Sequence, residues 1–120
     1  MQKFSKVNRL CKKTDIEELF KNGDSFKELP FTIISLFKKK TLTPLKVLIS
    51  IPKKQIPKAA DRNKLKRLIR EVYRKNNTEI INTLINKEKE LHVALLYQEK
   101  EIKSVMFLEK KIKLILLCLK

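Results

Sequence analysis

The sequence predicts an α+β domain in which helices pack against a β-sheet. Apolar residues recur at helical spacing in four places, and β-branched and aromatic runs without that spacing lie between them. One glycine and four prolines in 120 residues are too few for a disordered or repetitive chain. The order helix, two or three strands, helix, strand, helix therefore indicates a single layered domain over residues 1–120.

The first helix is predicted over residues 14–22. Thr14 and Glu17 have capping-box spacing, which would satisfy free N–H groups of the first turn. The apolar face is formed by Ile16, Leu19 and Phe20. Gly23, the only glycine, follows where a left-handed residue would end the helix.

Two strands are predicted next, over residues 31–37 and 45–51. Both runs are rich in Ile, Val, Phe and Thr, and a charged link with a proline joins them. Because both strands are apolar on both pleat faces, one face of the sheet should be covered and the other covered or functional.

The second half of the chain adds a helix over 62–76, with Asp61 as a possible cap, and a helical run over about 78–88. The apolar face of the first of these helices is predicted to contain Leu65, Leu68, Ile69, Val72 and Tyr73. Residues 92–97 read as a strand and 104–119 as a closing amphipathic helix.

The charge of the chain is strongly positive. There are 29 Lys and Arg residues against 13 Asp and Glu, a formal net charge of +16. Half of that surplus lies between Lys53 and Lys75, which include ten basic and two acidic residues. Such a field attracts polyanions, nucleic acid before an acidic membrane or an acidic protein.

The basic residues of helix 62–76 fall on one side of it. With Leu65 at zero on a helical wheel, the outward stripe contains Asn63, Lys66, Arg67, Arg70 and Arg74, with Glu71 beside it. A solvated face usually mixes signs, whereas like charges one turn apart cost a few tenths of a kcal/mol per pair. The stripe therefore indicates a surface that binds the phosphate backbone of RNA or DNA.

The remaining features argue against other classes. Cys11 and Cys118 form no CxxC motif, the N-terminus has no apolar signal region, and the apolar run near the C-terminus is too short to span a bilayer. We therefore expect a reduced, cytoplasmic protein without a membrane partner. Binding of the basic helix to an anionic membrane is a weak alternative because the chain has no Trp.

No catalytic or metal site is predicted in the protein itself. Protein nucleases need clustered carboxylates or a histidine with partners, and here the acids are scattered. His92 is alone inside a predicted strand and is interpreted as a core or sheet-edge residue. Tyr73 and Tyr97 are interpreted as structural.

The basic helix and the segment before it resemble the signature of the protein subunit of bacterial ribonuclease P. The matching residues are Lys53-Lys54, Ala59-Ala60, Arg62-Asn63-Lys64, Lys66-Arg67 and Arg70-Glu71. Upstream, the stretch NRLCKKTDIEELFKNG (residues 8–23) resembles the first helix of that family. The resemblance runs from about residue 8 to the strand near residue 97.

This resemblance implies an αβββαβα two-layer sandwich, a ribosomal-protein-like domain with a four-stranded sheet and a left-handed βαβ crossover. That handedness is contrary to the usual preference. It also implies a 1:1 complex with a catalytic RNA that removes the 5′ leader from precursor tRNA. The RNA would carry out the hydrolysis with Mg²⁺ ions bound mainly through RNA.

The resemblance also implies two groups of binding residues. Those expected at the leader of precursor tRNA are Ile16, Phe20, Ile34, Lys53, Lys54, Arg62, Lys66 and Arg70. Those expected at the catalytic RNA are Arg9, Asn63, Lys64, Arg67 and Arg74. Phe20 could equally be a core residue of an amphipathic helix, and Phe31 is assigned to the core.

Five positions depart from the family pattern. Pro52 and Pro57 stand where the family commonly has Ser and Gly, which should stiffen the turn into the helix. Lys64 replaces an arginine, which keeps the charge but loses the planar fork of donors. Ile16 and Ile34 stand where the family often has aromatic residues. Because base stacking contributes about 1–3 kcal/mol per base, a leader site here would depend more on apolar contact and charge.

The alternative is an RNA-binding protein without a part in an enzyme, such as a ribosomal or RNA-assembly protein with the same fold. Such a protein would bind structured RNA without preferring a tRNA that bears a leader to mature tRNA.

Overall fold

The computed structural model describes residue 10 and residues 12–39 and 44–119. In chain order the elements are α1 (Lys13–Asn22), β1 (Asp24–Glu28), β2 (Phe31–Lys39), β3 (Leu45–Ser50), α2 (Ala59–Asn76), α3 (Thr78–Asn86), β4 (Lys89–Tyr97) and α4 (Val105–Cys118). The predicted α+β class is confirmed, and the helices and strands predicted from local pattern are all present. β1 was not located from local pattern, which left two or three strands open at this point, and the resembling family implied three.

The strands form one four-stranded sheet in the order β1-β2-β4-β3. β2 pairs antiparallel with β1 and β4, whereas the edge strand β3 pairs parallel with β4. A parallel pair requires a long crossover, and α2 and α3 provide it. This arrangement places the loop that follows β3, and then the basic helix α2, beside the sheet edge.

One face of the sheet carries the main core. Phe31 and Ile33 of β2, and Val47 of β3, point to this face and are buried against the helices. The helical residues that complete this core include Leu65 and Ile69 of α2, Ile80 and Leu84 of α3, and Leu108 and Ile112 of α4. Tyr97 packs edge-on against Phe31, with ring centroids 5.7 Å apart, which confirms its structural interpretation.

Among the described residues, α1 and Leu10, which precedes it, pack on the opposite face of the sheet. Ile34, Ala94 and Leu48 form a row across β2, β4 and β3 on this face. A second, smaller cluster is built from Leu10, Leu19 and Ala94, with further apolar residues only partly buried around it. Within the described ranges, one face of the sheet is therefore covered by helices, and the other keeps partly exposed apolar residues beside α1.

The helix starts differ from the sequence expectation. α1 begins at Lys13 with Lys12 at the N-cap and no side-chain cap, so the Thr14–Glu17 capping box is wrong. α2 begins earlier than predicted, at Ala59, and Asp61 lies inside its first turn. There its negative charge still stabilises the helix by interacting with the positive, N-terminal end of the helix dipole.

The closing helix starts as predicted and is anchored by its inner side. The Ser104 hydroxyl accepts a hydrogen bond from the backbone N–H of Phe107 at 3.2 Å. Ile112, Ile115 and Leu116 are buried in the main core, which accounts for the apolar C-terminal run. Among the described residues, no helix is both long enough and apolar enough to cross a membrane.

Gly23 ends α1 for a reason other than the predicted one. Its φ of −74° and ψ of 156° are ordinary extended values, so the predicted left-handed conformation is wrong. A Cβ atom at this position would lie 2.5 Å from the Leu19 carbonyl oxygen, 2.8 Å from Ile34 Cγ2 and 3.0 Å from the Ser35 carbonyl oxygen. Glycine is thus required for the close approach of α1 to β2.

Replacing Gly23 by alanine is expected to lower the free energy of unfolding by about 1–3 kcal/mol, because two of the crowded atoms are backbone oxygens that cannot turn away. Urea unfolding of the purified variant measures the change. Asn22→Ala, at an exposed position one residue earlier, is the control. Equal stability of Gly23→Ala and the unsubstituted protein would show that α1 does not lie this close to β2.

Stability is expected to fall as the pH rises above about 10, because buried tyrosines must stay protonated in the folded state. Burial raises the pKa of Tyr73 well above its usual range, only partly opposed by a hydrogen bond from Asn77. Burial also raises the pKa of Tyr97. The unfolded chain releases these protons at lower pH than the folded one, so the stabilisation is present below pH 10 and is lost as the pH rises.

The check is urea unfolding between about pH 8 and pH 11 for the unsubstituted protein and Tyr73→Phe. The phenylalanine variant keeps the ring but cannot ionise, so its stability should fall less steeply over this range. Identical slopes for the two proteins would contradict the assignment of Tyr73 to this effect.

Candidate nucleic-acid interface

The outer face of α2 carries a set of polar and basic side chains. Asn63, Lys64 and Arg67 are exposed, while Lys66 and Arg70 are partly buried along the flank of the helix. The helix is held in place from its other side by Leu65, Ile69, Val72 and Tyr73, which are all buried. The exposed side chains are therefore presented by a core-anchored helix. Asn63 and Arg67 belong to the predicted stripe, whereas Lys64 does not.

The end of this stripe is not as predicted. The Arg74 guanidinium donates to the carboxylate of Glu71 one turn earlier, and the Arg74 side chain is only 15% exposed. This hydrogen bond, with a smaller contribution from the charges of Arg74 and Lys75, holds the pKa of Glu71 below its usual range. Glu71 thus reaches into the stripe rather than lying beside it, and Arg74 is already engaged within the protein.

A second group of cations lies at the turn between β3 and α2. Lys53 and Lys54 are exposed at the tip of this turn. Arg62, in the first turns of α2, directs its guanidinium back to the turn and donates to the carbonyl oxygens of Ile56 and Pro57. The structure therefore brings Arg62 together with the turn that carries the lysine pair.

The third group of candidate binding residues lies on the sheet face beside α1. Ile16 of α1 and Ile34 of β2 both contact the small cluster on this face and are partly buried. Leu36, Leu48 and Leu96 surround them on three strands. The sheet and α1 thus enclose an apolar surface that the sequence placed at Ile16 and Ile34.

The structure distinguishes two phenylalanines. The sequence left Phe20 open between a leader contact and the core, and it assigned Phe31 to the core. Phe20 lies on α1 four residues after Ile16, with 47% of its surface exposed. Phe31 is fully buried in the main core, as assigned. Phe20 is therefore available to stack on a base, and Phe31 is not.

An ion cluster that sequence reasoning missed connects α1 to the sheet. Lys38 of β2 donates to the carboxylate of Glu18, and its Nζ lies 3.8 Å from Oδ1 of Asp15. The hydrogen bond to Glu18 is the main cause that raises the pKa of Lys38, and the charges of Asp15 and Glu90 add to it against the effect of burial. The strand alternation does place Lys38 on the same face as Ile34, but only the fold brings the acids of α1 to it.

His92 is buried, as interpreted, but it is not without a partner. Its Nε2 is hydrogen-bonded to the carboxylate of Glu90, and both side chains are buried on the α1 face of the sheet. The pair had a sequence signal, because residues two apart in a strand point to the same face. Among the described residues, no group of three or more His, Cys, Asp or Glu side chains could hold a metal ion.

Of the thirteen residues expected to contact RNA, twelve lie within the described part of the chain. Arg9 lies outside the described residues. The others divide into the outer face of α2, the turn after β3 and the apolar surface beside α1. The guanidinium groups of Arg62 and Arg74 already make hydrogen bonds within the protein.

Comparison with known proteins identifies the family of this fold. A family model described as Ribonuclease P matches residues 4–114. The ribonuclease P protein component of Legionella pneumophila (strain Lens) is 35% identical over 82 residues, which are 68% of this chain and 70% of that protein. The corresponding protein of Porphyromonas gingivalis is 29% identical over 94 residues, 78% of this chain and 67% of that protein.

Solved structures agree with these sequence matches. The RNase P protein from Thermotoga maritima superposes with a TM-score of 0.69 and 26% identity, covering 90% of this chain and 94% of that one. A mutant RNase P protein of Staphylococcus aureus, described as defective in mRNA degradation activity, has a TM-score of 0.74 and 20% identity. It covers 95% of this chain and 89% of that one, which shows the shared fold. The chain belongs to the ribonuclease P protein family.

Proposed function

We propose that the chain is the auxiliary protein subunit of ribonuclease P in the cytoplasm, bound 1:1 to a catalytic RNA. The complex removes the 5′ leader from precursor tRNA, and the RNA carries out the hydrolysis. The observation that carries this proposal is the exposed set Asn63, Lys64 and Arg67, presented by a core-anchored helix in a member of this family. Phosphate contacts from such a rigid helix position an RNA without reading its sequence.

The binding residues divide between the two RNAs by their location. The outer face of α2, with Asn63, Lys64 and Arg67, contacts the catalytic RNA. Arg9 is assigned to the same RNA. The leader lies on the apolar surface of Ile16 and Ile34, with Phe20 on the same helix as Ile16. Four further cations reach the leader backbone, and these are Lys53, Lys54, Lys66 and Arg70.

Two arginines fit this division less well. Arg74 was expected at the catalytic RNA, but its pairing with Glu71 means that it would have to exchange a carboxylate for a phosphate. Arg62 was expected at the leader, but it already donates to two backbone carbonyl groups. We therefore assign the main phosphate contacts to the exposed residues of α2 and to the lysine pair.

Mg²⁺ is proposed to bind through RNA. The described residues do not offer a suitable donor set, since the acids of α1 that lie near the sheet are engaged by Lys38 and Glu90 is engaged by His92. The protein's part is to neutralise phosphate charge next to the ions that the RNA holds.

The test is cleavage of precursor tRNA by the catalytic RNA from the same genome at low Mg²⁺ concentration, with and without the protein. We expect no cleavage by the protein alone and a clear increase in the rate when the protein is added to the RNA. An unchanged rate would contradict the proposal.

A parallel binding titration distinguishes a ribonuclease P subunit from an RNA-binding protein that has no part in an enzyme. The complex of protein and catalytic RNA should bind precursor tRNA with a leader more tightly than mature tRNA. Equal affinities, together with tight binding of structured RNA, would favour a ribosomal or assembly protein. Salt dependence alone does not distinguish these two because both bind phosphate.

A further inference from the structure

The Arg62 side chain makes an unusual contact for a residue of the basic motif. Its Nη1 donates to the carbonyl oxygen of Ile56 at 3.0 Å and to that of Pro57 at 2.7 Å. One guanidinium nitrogen thus donates to two carbonyl groups of the backbone that precedes the helix. A cation directed to its own backbone in this way differs from Lys64 and Arg67, which are exposed on the same helix.

The backbone that Arg62 contacts belongs to the turn with the lysine pair. The backbone N–H groups of Gln55 and Ile56 both donate to the Pro52 carbonyl oxygen, at 3.0 and 3.1 Å. The Ile56 side chain is buried in the main core, which anchors the far end of the turn. Lys53 and Lys54 lie inside this closed turn and are exposed at its tip.

The position of the lysine pair therefore depends on what holds the end of the turn. Pro57 has no backbone N–H. It can therefore contribute only its carbonyl group to the hydrogen bonds that connect the turn to the helix. The planar guanidinium can reach two neighbouring carbonyl oxygens at once because its donors have a fixed geometry. Arg62 is thus the side chain that joins the turn to the first turns of α2.

We propose that Arg62 is a positioning residue for Lys53 and Lys54 rather than a phosphate ligand. By tying the turn to α2, it sets the place from which the two lysines meet the RNA backbone. Preordering the backbone that carries these lysines lowers the entropy that binding would otherwise cost. The proposal rests on the function proposed above and assigns one residue of the motif a different part in it.

The first test needs no RNA and uses amide hydrogen exchange of the free protein. Arg62→Ala should speed the exchange of the Gln55 and Ile56 amides by about tenfold or more, because the contact that holds the turn is lost. Amides of α4 should keep their rates. Unchanged exchange in the turn would overturn the proposal, and so would faster exchange throughout the protein, which would show a global rather than a local effect.

The second test is a double-mutant cycle on RNA binding. The probe is labelled precursor tRNA, and its affinity is measured for the complex of protein and cognate catalytic RNA. If Arg62 acts through the lysine pair, Arg62→Ala should weaken binding when Lys53 and Lys54 are present and hardly at all in the Lys53→Ala/Lys54→Ala background. If Arg62 binds phosphate itself, the two losses should multiply to within about a factor of two, and this would overturn the proposal.

Arg67→Ala is the matched control on the same helix. Arg67 is exposed and lies away from the turn along α2, so its loss should multiply with that of the lysine pair. Failure of the proposed function is recognised separately, because the unsubstituted protein would then leave the affinity for precursor tRNA unchanged. In that case the hydrogen-exchange result still decides whether Arg62 holds the turn.

Discussion

Replacing Leu65 by alanine is expected to lower the free energy of unfolding by about 2–5 kcal/mol. Leu65 is 0% exposed and lies in the main core, where α2 packs on the sheet. Truncation removes buried methyl groups and leaves a cavity that the neighbouring strands and α4 cannot close completely. Urea unfolding followed by circular dichroism measures the loss.

Leu68→Ala is the matched control, since it makes the same chemical change one turn along the same helix. Leu68 was predicted to be in the core, but it is only partly buried and is absent from both apolar clusters. Its truncation should cost about 1 kcal/mol. A larger loss at Leu68 than at Leu65 would show that α2 is rotated about its axis relative to the structure described.

The case of Leu68 shows how far helical periodicity can predict a core. The wheel placed five apolar residues on one broad face, and four of them are buried. The buried set is centred between Leu65 and Ile69, so Leu68 falls at one edge and Tyr73 at the other. The direction from which α4 and the strands approach decides which edge is covered, and a single helix contains no information about that approach.

The start of the sheet was harder to predict for a similar reason. β1 has the sequence DSFKE, in which only Phe26 is apolar and most residues are exposed. Pairing with β2, from Asp24 opposite Ser35 to Glu28 opposite Phe31, makes it a strand. Local preference alone would not predict a strand in this stretch, because Asp, Lys and Glu are all depleted in strands.

Gly23 illustrates a prediction that was right about the position and wrong about the cause. A glycine after an amphipathic helix is typical of a left-handed C-terminal residue. The same glycine also permits close contact between a helix end and a strand, which is what Ile34 and Ser35 require here. The sequence does not distinguish the two, because the second depends on a strand that lies eleven and twelve residues away in the chain.

The site was predictable where it depended on one helix and unpredictable where it depended on the sheet. The spacing of Asn63 and Arg67 predicted their common outer side, whereas Lys66 lies on the flank and is partly buried. The pairing of Glu71 with Arg74 also had a signal, since residues three apart on a helix are neighbours. The contact of Lys38 with Glu18 needed the packing of α1 on β2, and local sequence does not encode that.

The largest expected effect on binding comes from two of the exposed cations of α2, Lys64 and Arg67. Lys64→Ala/Arg67→Ala is expected to weaken binding of the cognate catalytic RNA by about a hundredfold or more, since two charge-assisted contacts with phosphate are lost. The slope of log affinity against log salt concentration should decrease by about two units, because about two fewer counterions are released. Filter binding over a range of KCl concentrations measures both quantities, and thermal unfolding should show nearly unchanged stability because both side chains are exposed.

Lys110→Ala/Lys113→Ala provides the control that separates a local contact from the general field of the protein. Both lysines are exposed on α4, and their removal changes the net charge by the same amount. The long-range attraction of RNA to a chain with a charge of +16 should weaken about equally in the two double variants. At physiological salt this attraction is screened beyond about 8 Å, so only cations in contact with phosphate should change the affinity strongly. A similar loss of affinity in both variants would mean that net charge, and not the outer face of α2, holds the RNA.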